Sequence, residues 1–213
     1  MITAWGQDSP MSTRKIILAT KNPGKVRELA DLLAQHGYAV ELLPEDCPVA
    51  EESGCTFMEN AVQKAVFYAK LLGLPSLADD SGLEVDILGG SPGVRSARYA
   101  DDLEPLPGES RDQRNIRKLL SGLAAHPAPY LARFRCAMAL YFDPQQILKS
   151  EGSWEGQITL APSGENGFGY DPVFVEFLSG QTAACLSLKE KFARSHRGLA
   201  LAGLLAQLGV GAR

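Results

Sequence analysis

The sequence is poor in the features that would mark several common protein classes. Among 213 residues there are four cysteines, Cys47, Cys55, Cys136 and Cys185, and no two form a C-x-x-C pair. Their spacing to the three histidines matches no zinc site, which removes zinc-ribbon and redox-motif readings and leaves free, buried or semi-buried thiols in a reducing cytosol as the expectation. No apolar run approaches the ~18 residues of a membrane-spanning helix. Basic excess is also missing: 21 Lys and Arg against 25 Asp and Glu give a net charge of −4. That balance argues against a protein that coats nucleic acid through a general basic surface. It leaves room for a small anion held by a few local cations. The opening stretch "MITAWGQDSPM" lacks the basic and apolar regions of a signal peptide. Residues 1–13 are expected to be a disordered extension, with Met11 a candidate start, and 14–210 a single α/β domain. No internal repeat or low-complexity linker appears.

The composition, 45% hydrophobic and 22% charged, is that of an ordinary soluble globular chain. "KIILAT" reads as a buried strand that runs into the turn "KNPGK". Val26, Leu29, Ala30 and Leu33 then recur at helical spacing before Gly37. Strand, glycine-bearing turn and helix form an α/β opening. "YAVELL" is a second strand. Thr56 and Glu59 fit a capping box ahead of a helix with the stripe Met58, Ala61, Val62, Ala65, Ala69 and Leu72, stopped by Gly73 and Pro75. "PSLADD" and "LEVDIL" read as two short strands. "RDQRNIRKLLSGLAA" is an amphipathic helix, "YLARFRCAMALYF" and "ILKSEGSWEGQITL" a hairpin, and "SHRGLALAGLLAQLG" a closing helix.

Four stretches carry chemistry. "TKNPGK" (Thr20, Lys21, Asn22, Pro23, Gly24, Lys25) joins a strand to a helix start, where unsatisfied N–H groups favour an anion and Lys25 adds a full charge. It lacks the Walker spacing, and an ordinary βα turn is the plainer alternative. Glu51 and Glu52 precede the capped helix, and Asp79 and Asp80 stand side by side. Adjacent carboxylates repel, and a hard divalent cation such as Mg²⁺ would offset that. A solvated loop and an Asx turn at Asp80-Ser81-Gly82 are the alternatives. "GFGYDP" offers Phe168 and Tyr170 to stack on a base, with Gly169 and Asp171 between and after them. "EKFARSHRG" concentrates Lys191, Arg194, His196 and Arg197 before the last helix. Together these describe a pocket for a nucleotide with Mg²⁺.

The same stretches, "TKNPGK", "EESGCTFMENA", "ADDSGLEVDILGGSPGVRSARY", "GFGYDPVF" and "SHRG", in this order, resemble the motifs of the inosine triphosphate pyrophosphatase family, the noncanonical purine nucleoside triphosphate pyrophosphatases. The resemblance spans about Lys15 to Leu208 and is nearest the bacterial branch. It implies an elongated mixed β-sheet flanked by helices, in two lobes with a central cleft. It implies hydrolysis of ITP, dITP and XTP to the monophosphate plus pyrophosphate, dependence on Mg²⁺, and a cytoplasmic homodimer; the acidic balance and the lack of long apolar runs argue against stable nucleic-acid binding and against a membrane partner. Carried onto this sequence, Thr20 to Lys25 bind the triphosphate and Glu51 and Asp80 hold Mg²⁺. Asp80 is also the proton acceptor. Ser81, Phe168, Gly169, Tyr170, Asp171, Lys191, His196 and Arg197 contact substrate. Lys21 departs from the glycine common in the family. The rival readings are a Maf-like nucleotide pyrophosphatase of other specificity, against which the full "SHRG" and "GFGYDP" motifs stand, and a nucleotide sensor without turnover.

Overall fold

The computed structural model describes residues 14–209; the extension expected over 1–13 lies outside them. The elements run β1 (Arg14–Leu18), α1 (Pro23–Gln35), β2 (Tyr38–Leu42), α2 (Phe57–Leu72), β3 (Ser76–Val85), α3 (Arg111–Leu123), β4 (Tyr130–Asp143), β5 (Gln146–Ile158), β6 (Phe174–Glu176), α4 (Leu188–Arg194) and α5 (His196–Gln207). They build one six-stranded sheet in the order β2-β1-β3-β4-β5-β6. β1 lies parallel to β2 and β3, and every later pairing is antiparallel. This is the mixed sheet flanked by helices that the sequence implies.

Local chemistry accounts for the helix boundaries. The Thr56 and Glu59 capping box is formed, and α2 ends at Gly73 in the left-handed conformation (φ 72°), which only glycine adopts without cost. α3 and α4 each start with a further capping box, Ser110 with Gln113 and Ser187 with Glu190. α4 was not foreseen: "LKEKFAR" is a short helix of its own, separated from α5 by Ser195 alone, which caps α5 through Gly198 N.

β3 differs from expectation in an instructive way. Ser81-Gly82 reads as a turn signal, yet Ser76–Val85 is a single ten-residue strand. β4 pairs with all of it, from Ser76 opposite Tyr141 to Val85 opposite Ala132. Gly82 is there because a Cβ would fall on Gly93 O and within 2.8 Å of the Phe57 ring. It is a close-approach glycine, and the Asx-turn alternative is removed.

Strand β3 passes through three packing zones. Its odd residues face α1 and α5, where Leu77 joins Leu29, Leu33, Met138, Leu201 and Leu204. Its even residues face α2, where Ala78 joins Ala61, Ala65, Ala137 and Ala139. Beyond Gly82 it enters a second lobe, where Leu83 and Val85 pack with Leu119, Phe134, Trp154 and Phe174. The residues Asp79 to Gly82 therefore lie where the two lobes meet. All four cysteines are free. Cys47 and Cys136 are buried as expected, but Cys55 and Cys185 are exposed.

Candidate active site

A cleft of about 320 Å³ opens at this junction. Its walls include Thr20, Lys21, Asn22, Lys25, Glu52, Lys64, Asp80, Ser81, Phe168, Gly169, Tyr170, Asp171, Lys191, His196 and Arg197.

The pleat explains the paired aspartates. Successive side chains of a strand point to opposite faces, so Asp79 and Asp80 meet different partners. Asp79 faces the α1 and α5 side. Its Oδ2 is 2.8 Å from Lys25 Nζ and accepts from Ser81 Oγ at 2.6 Å and Arg197 Nε at 3.4 Å. Burial would raise its carboxyl pKa, but Lys25, Arg197 and Lys64 outweigh burial and hold it far below the usual carboxylate range. Asp80 faces α2. Asn60 Nδ2 donates to its Oδ2 at 2.9 Å, Ser81 N donates to its Oδ1 at 3.1 Å, and Lys64 Nζ stands 3.7 Å away. Here burial wins over Lys64, and the carboxyl is raised above its ordinary value. The repulsion is met by geometry and by the chain's own cations, without a metal shared between the two acids. Of the pair, only Asp80 lines the cleft.

Lys64 lies between two carboxylates, 2.8 Å from Glu52 and 3.7 Å from Asp80. Glu52 also meets Arg98 at 3.3 Å. Glu51, the other acid of the pair, is exposed on the loop before α2 and does not line the cleft. Among the described residues no group of three or more His, Cys, Asp or Glu side chains converges. The donors near the cleft floor are carboxylate oxygens, a hard set of the kind that Mg²⁺ takes one or two at a time beside phosphate and water. A cation there would share these carboxylates with the Lys64 ammonium. The residues therefore fit a hard divalent cation that draws its other ligands from a substrate.

The turn Thr20–Lys25 is positioned as expected, with one difference. Asn22 caps α1, and its own Oδ1 accepts from Gly24 N at 2.8 Å and Lys25 N at 3.4 Å. These amides are thus spent on the cap rather than offered to an anion. The Lys21 ammonium is tied to Glu45 O (2.9 Å) and Cys47 O (2.7 Å), which anchors the loop after β2. Cationic character at this turn comes mainly from Lys25.

Phe168 packs against Gly24 of this same turn, where a Cβ would collide with its ring. Lys191 Nζ and the Arg197 guanidinium lie 5.0 and 5.5 Å from the centre of that ring. Asp171 Oδ2 accepts from Phe168 N (2.8 Å) and Lys191 Nζ (2.6 Å), fixing the loop. Tyr170 is buried in the second lobe with its hydroxyl donating to Ser96 O at 2.9 Å. Phe168 is therefore the better placed of the two aromatics to stack on a ligand. Lys191, His196 and Arg197, expected as a helix-start patch, are buried. His196 stacks on Phe134, centroids 4.9 Å apart, and its Nδ1 has no partner among the described residues.

Burial, with Arg197 and Lys191 nearby, drives the His196 pKa well below 6.5. The folded histidine refuses a proton that the unfolded one takes, so stability present above that value is lost as the pH falls below it. Urea midpoints should drop between about pH 7.5 and about pH 5.5, and His196→Gln should flatten that drop. Equal slopes in the two proteins would mean that His196 is not held neutral.

Sequence reasoning missed Glu28, Asn60 and Lys64. Asn60 and Lys64 are one helical turn apart, beside the stripe alanines Ala61 and Ala65. Two polar residues at i and i+4 within an otherwise small, apolar face were the available signal. Glu28 lies beside Leu29 in the buried face of α1.

A two-lobed α/β chain whose cleft sets a buried carboxylate beside buried cations has the make-up of a hydrolase that acts on phosphoanhydrides. The profile of the Ham1 family matches residues 16–207, and the chain belongs to that family. It is 52% identical over 199 residues to a dITP/XTP pyrophosphatase of Nitratidesulfovibrio vulgaris, covering 92% of this chain and 96% of that one. A dITP/XTP pyrophosphatase of Escherichia coli K12 is 47% identical over 197 residues, covering 90% and 96%. Among solved structures, a HAM1 protein from Coxiella burnetii superposes with a TM-score of 0.79 at 41% identity, covering 93% of this chain and all of that one. The Staphylococcus aureus Ham1 protein gives 0.77 at 38%, covering 92% and 98%.

Proposed function

We propose that this protein hydrolyses the noncanonical purine nucleoside triphosphates ITP, dITP and XTP to the monophosphate plus pyrophosphate. The observation that carries the reading is the placement of Asp80. It is a buried carboxylate with a raised pKa that opens on the same cleft as Lys25, Lys191 and Arg197, in a chain about half identical to dITP/XTP pyrophosphatases.

In this reading the turn Thr20 to Lys25, chiefly through Lys25, holds the triphosphate together with Lys191 and Arg197, to which Lys25 is linked through Asp79, while Phe168 stacks on the base. Asp80 orients a water molecule and takes its proton as the oxygen bonds to the α-phosphorus. The bond from that phosphorus to the bridging oxygen breaks, and the electron pair leaves with pyrophosphate. Lys25 and Lys191 stabilise the charge that develops there. Asp80, with a carboxylate of the Glu51–Glu52 pair, would hold Mg²⁺, and Glu52 is the one facing the cleft. The metal, when bound, would neutralise phosphate charge and make water more acidic.

Discrimination against adenine falls to His196, while guanine, which also carries O6, has to be refused at its 2-amino group. Arg197 already donates to Glu28, Asp79 and Ser81, so a neutral His196 is the freer donor to the O6 of hypoxanthine or xanthine. Adenine has a donor at that position and would leave the site unpaired. The reading includes a cytoplasmic homodimer; among the described residues no helix is long and apolar enough to cross a membrane.

Purified protein with Mg²⁺ and a panel of ITP, dITP, XTP, GTP and ATP tests this. Pyrophosphate should be released from the first three and little from the last two, and a chelator should abolish release. Single phosphates as product would place the attack at the terminal phosphorus and overturn the assignment.

A further inference from the structure

We propose that Glu28 is a positioning residue for the cationic wall of the cleft. It sets Lys191 and Arg197 as one unit without touching substrate itself. This rests on the reading of that wall as the phosphate-binding side.

Glu28 lies one turn after Lys25 on α1 and is buried. Its Oε1 accepts from Lys191 Nζ of α4 at 2.9 Å, and its Oε2 accepts from Arg197 of α5. A carboxylate from the first helix thus fixes two cations from the last two. The pairing continues in both directions. Lys191 meets Asp171 at 2.6 Å, and Arg197 meets Asp79, which meets Lys25 at 2.8 Å. The result is an alternating chain, Asp171, Lys191, Glu28, Arg197, Asp79, Lys25, of three acids and three bases. Lys25, Asp171, Lys191 and Arg197 line the cleft, whereas Glu28 and Asp79 do not.

Stability alone is a poor account of such a chain. Taking charges out of water is costly, and well-packed apolar side chains of similar volume often serve a fold as well or better. What the chain supplies is orientation. Lys191 and Arg197 sit on separate helices, and Glu28 holds both in place ahead of ligand binding, so their side chains need not be ordered when a phosphate arrives. Burial alone would push the Glu28 carboxyl up, but Arg197 and Lys191 outweigh it and hold it below the usual range, so Glu28 is ionised at neutral pH.

The test uses steady-state kinetics on whichever nucleoside triphosphate the wild type turns over best, normalised to folded protein. The wild-type panel judges the substrate reading; the ratio of variant to wild type judges Glu28. Glu28→Gln should lower kcat about 10- to 100-fold while KM changes less than about threefold, because the cations remain but are misdirected. Glu28→Asp, ionised but too short to reach both cations, should recover part of kcat. Should Glu28→Gln fail to fold, the charge-balanced pair Glu28→Gln with Lys191→Met takes its place. Its kcat/KM should fall little below that of Lys191→Met alone, since the two residues act together. Folded Glu28→Gln with wild-type kcat, a change confined to KM, or losses that multiply in the double variant would each overturn the proposal.

Discussion

Asp80→Asn is expected to lower kcat by about 10²- to 10⁴-fold, the range supplied by a positioned general base, while the fold stays intact. Asparagine has nearly the same shape, and Lys64 keeps its 2.8 Å partner Glu52 when the Asp80 charge is removed. The raised pKa of Asp80 gives the sign of the stability effect. The folded state holds this carboxylate less comfortably in its charged form than water does, so neutralising it should leave the urea midpoint unchanged or slightly higher. Asp79→Asn should do the reverse. Its charge is the buried partner of Lys25 and Arg197, and removing one partner of buried pairs costs about 3–5 kcal/mol. Two neighbouring substitutions of the same type should thus separate, one in rate and the other in stability. Pyrophosphate release and urea melts on both variants check this. A rate in Asp80→Asn close to that of the wild type would remove Asp80 from the chemistry.

Gly152→Ala should damage both stability and activity. Gly152 lies on β5 opposite Cys136, and the first turn of α5 rests directly on it. A methyl group there would fall on the carbonyl oxygen of His196 and 2.8 Å from Ala200 N. Both obstacles are backbone, so no rotamer change relieves the clash and α5 has to lift. Overpacking of this kind costs about 1–3 kcal/mol and occasionally more. The lift also carries His196 and Arg197 out of register with the cleft, so kcat/KM should fall with the melting point. A variant as stable and active as the wild type would show that α5 does not depend on this close approach.

Much of this arrangement was legible in the sequence because local signals agreed with the fold. The Thr56 and Glu59 capping box, the stripe of α2 and the alternation in β4 each name their element unaided. Ser81-Gly82 misled because a glycine that admits a neighbouring backbone looks the same in sequence as one that makes a turn. The motif positions that meet in the cleft were readable by resemblance, but their electrostatics were not. The Asn22 cap is local, and Asn followed by Pro at the first helical position was its available signal, whereas which face of β3 each aspartate takes depends on a register that only the folded sheet fixes. Glu28 was hidden for the same reason. Its partners lie 163 and 169 residues away, and no local window contains them.

The pleat of β3 places an arithmetic condition on this part of the gene product. Asp80 serves the cleft, and Asp79 the buried cations, only because one position is even and the other odd. Because both residues are aspartate, one residue added between Leu77 and Asp79 would keep an acid facing Lys64 but leave none in the place of Asp79 among the cations of α1 and α5, whereas one residue deleted would keep those cations partnered but put Ser81 in the place of Asp80. A change of two residues would restore the faces but slide the acids about 7 Å along the strand. This stretch therefore tolerates almost no change in length. Its function is written in parity as much as in residue identity.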